Sequence, residues 1–439
     1  MKKMIHGLLT LAAFFLLSAG CKAGTKTQQD PELIDKVISV KEVRRVEEVL
    51  ASDAMRGRRA FTPDIEKAAD FIAAEFKTAG LESLNGDGNY RQAFTMVRTK
   101  PVTTTASMEG QPVDARQVIV VSCLPVLKVN QQSGYEKVFI KPGASLQTEA
   151  RQFIRAGKNL LVLVNKSFAN SFGNLARLRS SMFKTDKHVV FVLTDTDPSA
   201  YEISMEQEVT EHPLANVVGV IPGKSKKDEF VIFSGHYDHI GVGKPVNGDS
   251  IYNGANDDAA GVTAVIMLAR YYKSLGNNER TLVFTAFTAE EVGGFGSQYF
   301  SRQFDPAKVM AMFNIEMIGT ESKWGKNSAF ITGYEKTDMG TIMQKNLEGT
   351  GFVFHPDPYP NQQLFYRSDN ATLARLGVPA HTISTAKMEN EPHYHKVSDD
   401  VSTLDLDNMT EIIKSIALSA RGIIAGKETP ARVKVEELR

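Results

Sequence analysis

Five short segments between residues 234 and 400 each set a His, Asp or Glu at or just past the end of an apolar run. They read SGHYDHIG (234–241), NGANDDAAGV (253–262), TAEEVGGFGS (288–297), FNIEMIG (313–319) and EPHYHKVSDD (391–400). An open α/β sheet offers groups to a ligand in the crevice beyond the carboxyl ends of its strands. A chain that repeats this placement is therefore constrained to such a sheet. Two His and three carboxylates suffice to hold two divalent cations. A metal pair about 3.5–4 Å apart is a device for activating water against an amide or a phosphate.

The rest of the pattern agrees with a sheet of this kind. VVGVI (217–221), FVIFSG (230–235), RTLVFTAFT (280–288), VMAMFNIEM (309–317) and AHTIS (380–384) predict strands. Helices are expected over 258–275, 296–303 and 334–349, between several of them. Helical connections favour a mixed, mainly parallel sheet sandwiched by helices. Residues 40–83 read as helical, with Thr62 a cap and Gly80 a stop for the stretch Pro63–Ala79. Residues 85–115 are polar and read as turns, and a last amphipathic helix is expected over 406–425. Between the two halves, QVIVV (117–121), VFIKPG (138–143), LLVLV (160–164) and HVVFVL (188–193) predict strands, with a helix near 145–156. Residues 101–211 thus read as a smaller inserted domain, either α/β or one that resembles a protease-associated domain. The main domain is then made of 40–100 and 212–427. His188 and His212, inside or beside the insert, read as structural.

A chain of 439 residues can bury a large core. Lys+Arg and Asp+Glu both number 51, so no basic surplus points to nucleic acid. The two cysteines, Cys21 and Cys123, cannot form a disulfide framework. Lys2 and Lys3 precede an apolar run, Leu8 to Leu17, that is too short for a stable span. Ser18-Ala19-Gly20-Cys21 follows, and it resembles a bacterial lipoprotein lipobox. Ser18 stands where the usual aliphatic residue is expected, with Leu17 one place earlier. The resemblance implies a signal peptide over 1–21 and a lipid on Cys21 anchoring the protein in the periplasm or cell envelope. Residues 22–39 would be the tether.

The candidate residues can be read one by one. His236 and Asp238 are two apart and point the same way on an extended chain. Asp238 can then hold the His236 imidazole in one tautomer. His239 reads as structural. A lone Asp at a helix entry is usually a cap, but Asp257-Asp258 follows Gly254 in a turn downstream of the His-x-Asp strand. A bridging ligand must be a carboxylate, and Asp257 is the candidate. Of Glu290 and Glu291, which diverge, one can bind metal while the other accepts a proton. Glu316 ends a very apolar strand, and a metal makes burial of such a carboxylate tolerable. His393 and His395 flank Tyr394, and their spacing does not separate them.

Taken together and in this order, the five segments resemble the zinc aminopeptidase family that also contains glutaminyl cyclases, glutamate carboxypeptidases and the transferrin receptor ectodomain. The resemblance covers residues 216–425, with support around 55–84. It implies a metallo-exopeptidase that hydrolyses N-terminal peptide bonds through a water shared by two Zn2+ ions. His236 and Glu316 would hold one zinc, Glu291 and His395 the other, and Asp257 would bridge them. Glu290 would be the general base and Asp238 the support of His236. The resemblance also implies a cis bond between Asp257 and Asp258. Residues 365–380 would line the site, with Asp369 near the chemistry. Glu316 stands where the family most often has Asp, a shorter arm. The same ligands leave open a glutaminyl-cyclase-like transferase, a carboxypeptidase or a dipeptidase. A non-catalytic binding module on the same fold is a further alternative. Side-chain preference and oligomeric state are not legible.

Overall fold

The computed structural model describes residues 31–438. The expected signal peptide, Cys21 with its expected lipid, and residues 22–30, half of the expected tether, lie outside the described residues. Among those described, no helix is long and apolar enough to cross a membrane.

The centre is a twelve-stranded mixed sheet. Four of its strands, Ala380–Ser384, Val309–Ile315, Lys226–His236 and Arg280–Phe287, run parallel side by side. All residues of Arg280–Phe287 are buried, which is why it reads as one apolar run and not as an alternation. Tyr201–Ile221 pairs antiparallel with Arg280–Phe287 and carries the sheet on to Arg91–Met108. On the opposite side lie Ser328–Ile331 and Val353–Pro356. Helices cover both faces. On one, Ala260–Leu275 is buried along nearly its whole length and packs with Val40–Leu50, Asp64–Thr78 and Leu406–Ser419. On the other, Phe300, Phe365 and Leu373 pack against Val218, Ile232 and Met312. Phe233 stacks between Phe284 and Phe313, with ring centroids at 5.4 and 4.9 Å, and ties three central strands together.

The helix after the His-x-Asp strand begins at Ala260 and ends on Gly276, whose φ of 53° is the left-handed stop of a helix. Helix Asp64–Thr78 follows Pro63, but Thr62 does not cap it: its hydroxyl donates to the Arg59 carbonyl at 2.8 Å. The larger departure is in residues 85–115, read as turns. Residues Arg91–Met108 form one strand of 18 residues that pairs along its length with Tyr201–Ile221. Its Thr-rich part is half exposed and carries a weak apolar signal, so cross-strand pairing with a distant segment decides its state. These two strands run unbroken from the main sheet into the segment between them.

That segment carries its own sheet of four strands, ordered Val118–Val121, Val189–Leu193, Leu160–Val164, Glu136–Ile140. One face packs on Leu146 and Ala150 of the helix Leu146–Arg155 and on Phe172. The other packs on Met108, Tyr201, Ile203 and Met205 from the long strands. His188 is buried there with its Nδ1 at 3.0 Å from Ser122 Oγ, and His212 packs edge-on against Phe61.

Candidate metal centre

The site sits where the parallel strands end. His236 is the last residue of Lys226–His236, Glu290 and Glu291 follow Arg280–Phe287, and Glu316 follows Val309–Ile315. Asp257 lies in the turn before the buried helix, and its bond to Asp258 is cis, as the resemblance implied. His395 arrives from the loop before the last long helix. Ala289, Met317 and His395, each at or beside a site residue, have φ of 58°, 53° and 55°. Left-handed backbone at non-glycine residues costs about 1–3 kcal/mol each and gathers at functional sites.

Asp257 is the hub. Its Oδ1 lies 3.3 Å from His236 Nε2, and its Oδ2 lies 3.2 Å from His395 Nε2 and 3.9 Å from His239 Nδ1. Glu291 repeats the division: Oε1 is 2.8 Å from His239 Nδ1 and Oε2 is 3.2 Å from His395 Nε2. Glu290, Glu291, Glu316, Asp257 and His395 line one cavity. His393 turns aside, its Nδ1 at 3.0 Å from Ser398 Oγ.

A second set of buried carboxylates faces the backbone. Asp258 accepts amide hydrogens from His236, Gly261 and Met317 at 3.0–3.1 Å. Asp399 accepts from Asn256 and Asp257 at 2.8 and 3.1 Å. Asp238 accepts from Glu290 and Glu291 at 2.9 and 3.3 Å. These bonds position the loops that carry the first set. The expected hold of Asp238 on His236 takes another form: His236 Nδ1 meets the Asp238 backbone carbonyl at 3.0 Å, and the carboxylate is 3.8 Å away.

Three further residues were not assigned from sequence. His239, read as structural, fixes Glu291, and His239, Asp257 and Glu291 bring ligand atoms within 4.8 Å of one another. Asp399 lies inside the quoted segment EPHYHKVSDD, and its signal was one carboxylate more than the ligand count needed. Arg58, fully buried, donates to the carbonyls of Tyr237, Leu50, Asn253 and Gly254. No local pattern marks it.

The electrostatics call for cations. Burial pushes Glu316 up to about 7, and its Oε2 has no hydrogen-bond partner. Burial, then the neighbouring Glu316, Asp369 and Asp238, also raises Glu290 well above the carboxylate range, against the pull of His236. The buried Nε2 atoms of His236 and His239 likewise lack hydrogen-bond partners. Unsatisfied imidazole nitrogens among crowded buried carboxylates are the donor set of a borderline cation such as zinc. The residues present therefore fit the implied metal. Glu316, with its longer arm, lines the shared cavity, and its Oε2 is buried without a hydrogen-bond partner. Asn314 donates to Ser368 Oγ at 2.7 Å, which leaves the Ser368 hydroxyl hydrogen free for Glu316.

A cavity lined by one imidazole and four carboxylates, with two more imidazoles against Asp257, at the carboxyl edge of a helix-covered mixed sheet, defines a metal-dependent hydrolase. Residues 216–420 match peptidase family M28. That family is the zinc aminopeptidases whose segments the chain resembles, and the chain is a hydrolase of the metallo-aminopeptidase type. Leucine aminopeptidase 1 of Trichophyton equinum is 22% identical over 310 residues, 65% of this chain and 81% of that relative. A probable zinc metalloprotease of Pyrenophora tritici-repentis is 33% identical over 142 residues, 30% of this chain and 32% of that relative. The fold is similar to that of a zinc aminopeptidase from Bacillus subtilis, with TM-score 0.53, 17% identity and coverage of 92% of this chain and 97% of that one. An aminopeptidase from Aneurinibacillus sp. strain AM-1 gives TM-score 0.53 and 18% identity, covering 93% and 98%.

Proposed function

We propose that this chain removes single residues from the N-terminus of peptides with two zinc ions, His236 and Glu316 holding one, Glu291 and His395 the other, and Asp257 both. The observation that carries this is the split at Asp257: one oxygen faces His236 and the other faces His395. Bound zinc supplies Lewis acidity, acidifying water towards neutral pH and steadying charge on the scissile carbonyl oxygen. Glu290 takes the proton of the attacking water and hands it to the leaving amine. Burial raises its pKa above the ordinary carboxylate range, which makes it a stronger proton acceptor than a solvated glutamate. Asp238 holds the Glu290 and Glu291 amides, so base and ligand keep fixed places.

The cavity has room for one side chain, about 100 Å³, and Met317, Phe330, Leu364, Ala386 and Met388 give it an apolar wall. That supports a leucine-like residue at the cleaved end. Its charged lining is Asp257, Glu290, Glu291 and Glu316 with Arg367 and His395, and the likeness to leucine aminopeptidase 1 supports an aminopeptidase over a carboxypeptidase. The leader reading belongs to the same proposal: an envelope lipoprotein held through Cys21, which labelling with a fatty-acid analogue in Cys21→Ala tests.

The test is Glu290→Gln in zinc-loaded protein on leucyl-peptides, with products identified. Turnover should fall about 100- to 10,000-fold with zinc content unchanged. Near-normal turnover would remove Glu290 from the role of base. Pyroglutamate from a Gln-initiated peptide, without release of free amino acids, would make the chain a cyclase.

A further inference from the structure

A second groove opens from the same centre. It shares Glu290, Arg367 and Ser368 with the apolar cavity and leads away from it, with about 420 Å³ of open space. Arg155, Arg302, Arg367 and Arg375 line it. Its carboxylates are Glu290 and Asp369, both at the catalytic end. Among the described residues, none of the four guanidiniums forms an ion pair with a carboxylate. The arginines come from three separate places in the chain. Arg155 ends the helix Leu146–Arg155 of the inserted segment, Arg302 follows Phe295–Ser301, and Arg367 and Arg375 flank Asn370–Ala374. Burial and then the charge of Arg155 hold Arg302 below its ordinary pKa, so like charges face each other there. Arg302 also lies 4.4 Å over the Phe183 ring, and Arg375 lies 5.8 Å from the Tyr366 ring, which fixes their planes.

We propose that this groove receives the leaving side of the substrate and binds a carboxylate there, one to three residues beyond the cut bond. The proposal rests on Glu290 as the group that protonates the leaving amine, because that role puts the leaving peptide beside Glu290 and so at the mouth of this groove. A carboxylate is repelled by Glu290 and Asp369 at the inner end and attracted by unpaired guanidiniums further out. An extended residue spans about 3.3–3.6 Å, so each further leaving residue carries a carboxylate away from the acidic end and toward the arginines. Guanidiniums present paired donors that match a carboxylate. The carboxylate can come from the C-terminus of a short peptide or from an acidic side chain in a longer one. The inserted segment, through Arg155, forms part of the specificity surface.

Rates on Leu-Ala-Ala as free acid, its C-terminal amide and the amide Leu-Ala-Asp-Ala separate the two sources. The zinc-loaded full chain should give kcat/KM at least tenfold higher for either acidic arm than for the neutral amide, with the advantage shrinking at 0.5 M salt. In Arg155→Ala/Arg302→Ala that ratio should fall to about 1, with an unchanged unfolding midpoint. An advantage for the free acid alone assigns the groove to C-termini, and for the side chain alone to acidic residues; both support the proposal. Equal rates on all arms in the wild type, or an advantage that survives in the double variant, overturn it. Should no peptide be cut, the aminopeptidase reading fails by itself, and binding of N-acetyl-Asp-Asp to the zinc-loaded chain decides the groove. Binding lost in the double variant supports the proposal, and absence of binding to the wild type overturns it.

Discussion

Arg58→Met is the sharpest test of how the site is held. Arg58 is 0% exposed and fills its space with a long apolar stem, which Met reproduces. Its guanidinium donates to Leu50 at 2.7 Å, Tyr237 at 2.8 Å, Asn253 at 2.5 Å and Gly254 at 2.8 Å. It thereby ties the end of helix Val40–Leu50 to the two loops that carry His236 and Asp257. Each buried carbonyl left without a partner costs about 1–3 kcal/mol, so four span roughly 4–12 kcal/mol. Relief from burying a guanidinium offsets several of those, which leaves a net loss of about 3–5 kcal/mol. Both metal-bearing loops lose an anchor, so zinc affinity should fall about 10- to 100-fold as well. Denaturant unfolding of the metal-free protein and competitive zinc titration read the two effects. A variant within about 1 kcal/mol of wild type with unchanged zinc affinity would refute the assignment of Arg58 as the anchor of these loops.

Other outcomes follow from the same geometry. Gly254 has φ of 59°, and a Cβ there would land on the Asp257 carbonyl oxygen and the His239 ring. Gly254→Ala should therefore lose at least about 1–3 kcal/mol and most zinc affinity by calorimetry, and wild-type affinity would show that the turn can give. Glu47 is fully buried, accepts from Thr263 Oγ1 at 2.7 Å, and burial raises it to about 8 from 4.5. A carboxyl raised on folding stays protonated while the unfolded one ionises, so stability falls as pH rises from about 4.5 to 8. Glu47→Gln should thus gain little at pH 4.5 and about 3 kcal/mol at pH 7, and a gain flat across that window would mean Glu47 is ionised in the fold.

The parallel strands and their ligands were legible because burial on both faces makes each strand an apolar run, so a terminal His or Glu stands out. The bounds of 380–384 and the candidates His236, Glu290 and Glu316 at or past strand ends follow from that contrast, whereas Asp257 as the bridge, Glu291 over Glu290 and His395 over His393 came from the resemblance. Arg91–Met108 was not legible, because its partner strand lies about a hundred residues away and its exposed Thr face carries no alternation. Arg58 escaped because it lies in the run Arg56-Gly57-Arg58-Arg59, which reads as a solvated basic turn. His239 and Asp399 escaped for a different reason: each neighbours a residue that already filled the ligand role. The choice between the carbonyl and the carboxylate of Asp238 as holder of His236 depends on a local turn that spacing does not encode.

The central claim is that Asp257 holds two ions at once, and a zinc titration of the metal-free protein tests it. Wild type should take up two equivalents, Glu316→Ala and His395→Ala one each, and Asp257→Ala close to none. A single equivalent in the wild type, untouched by Glu316→Ala, would contradict the account.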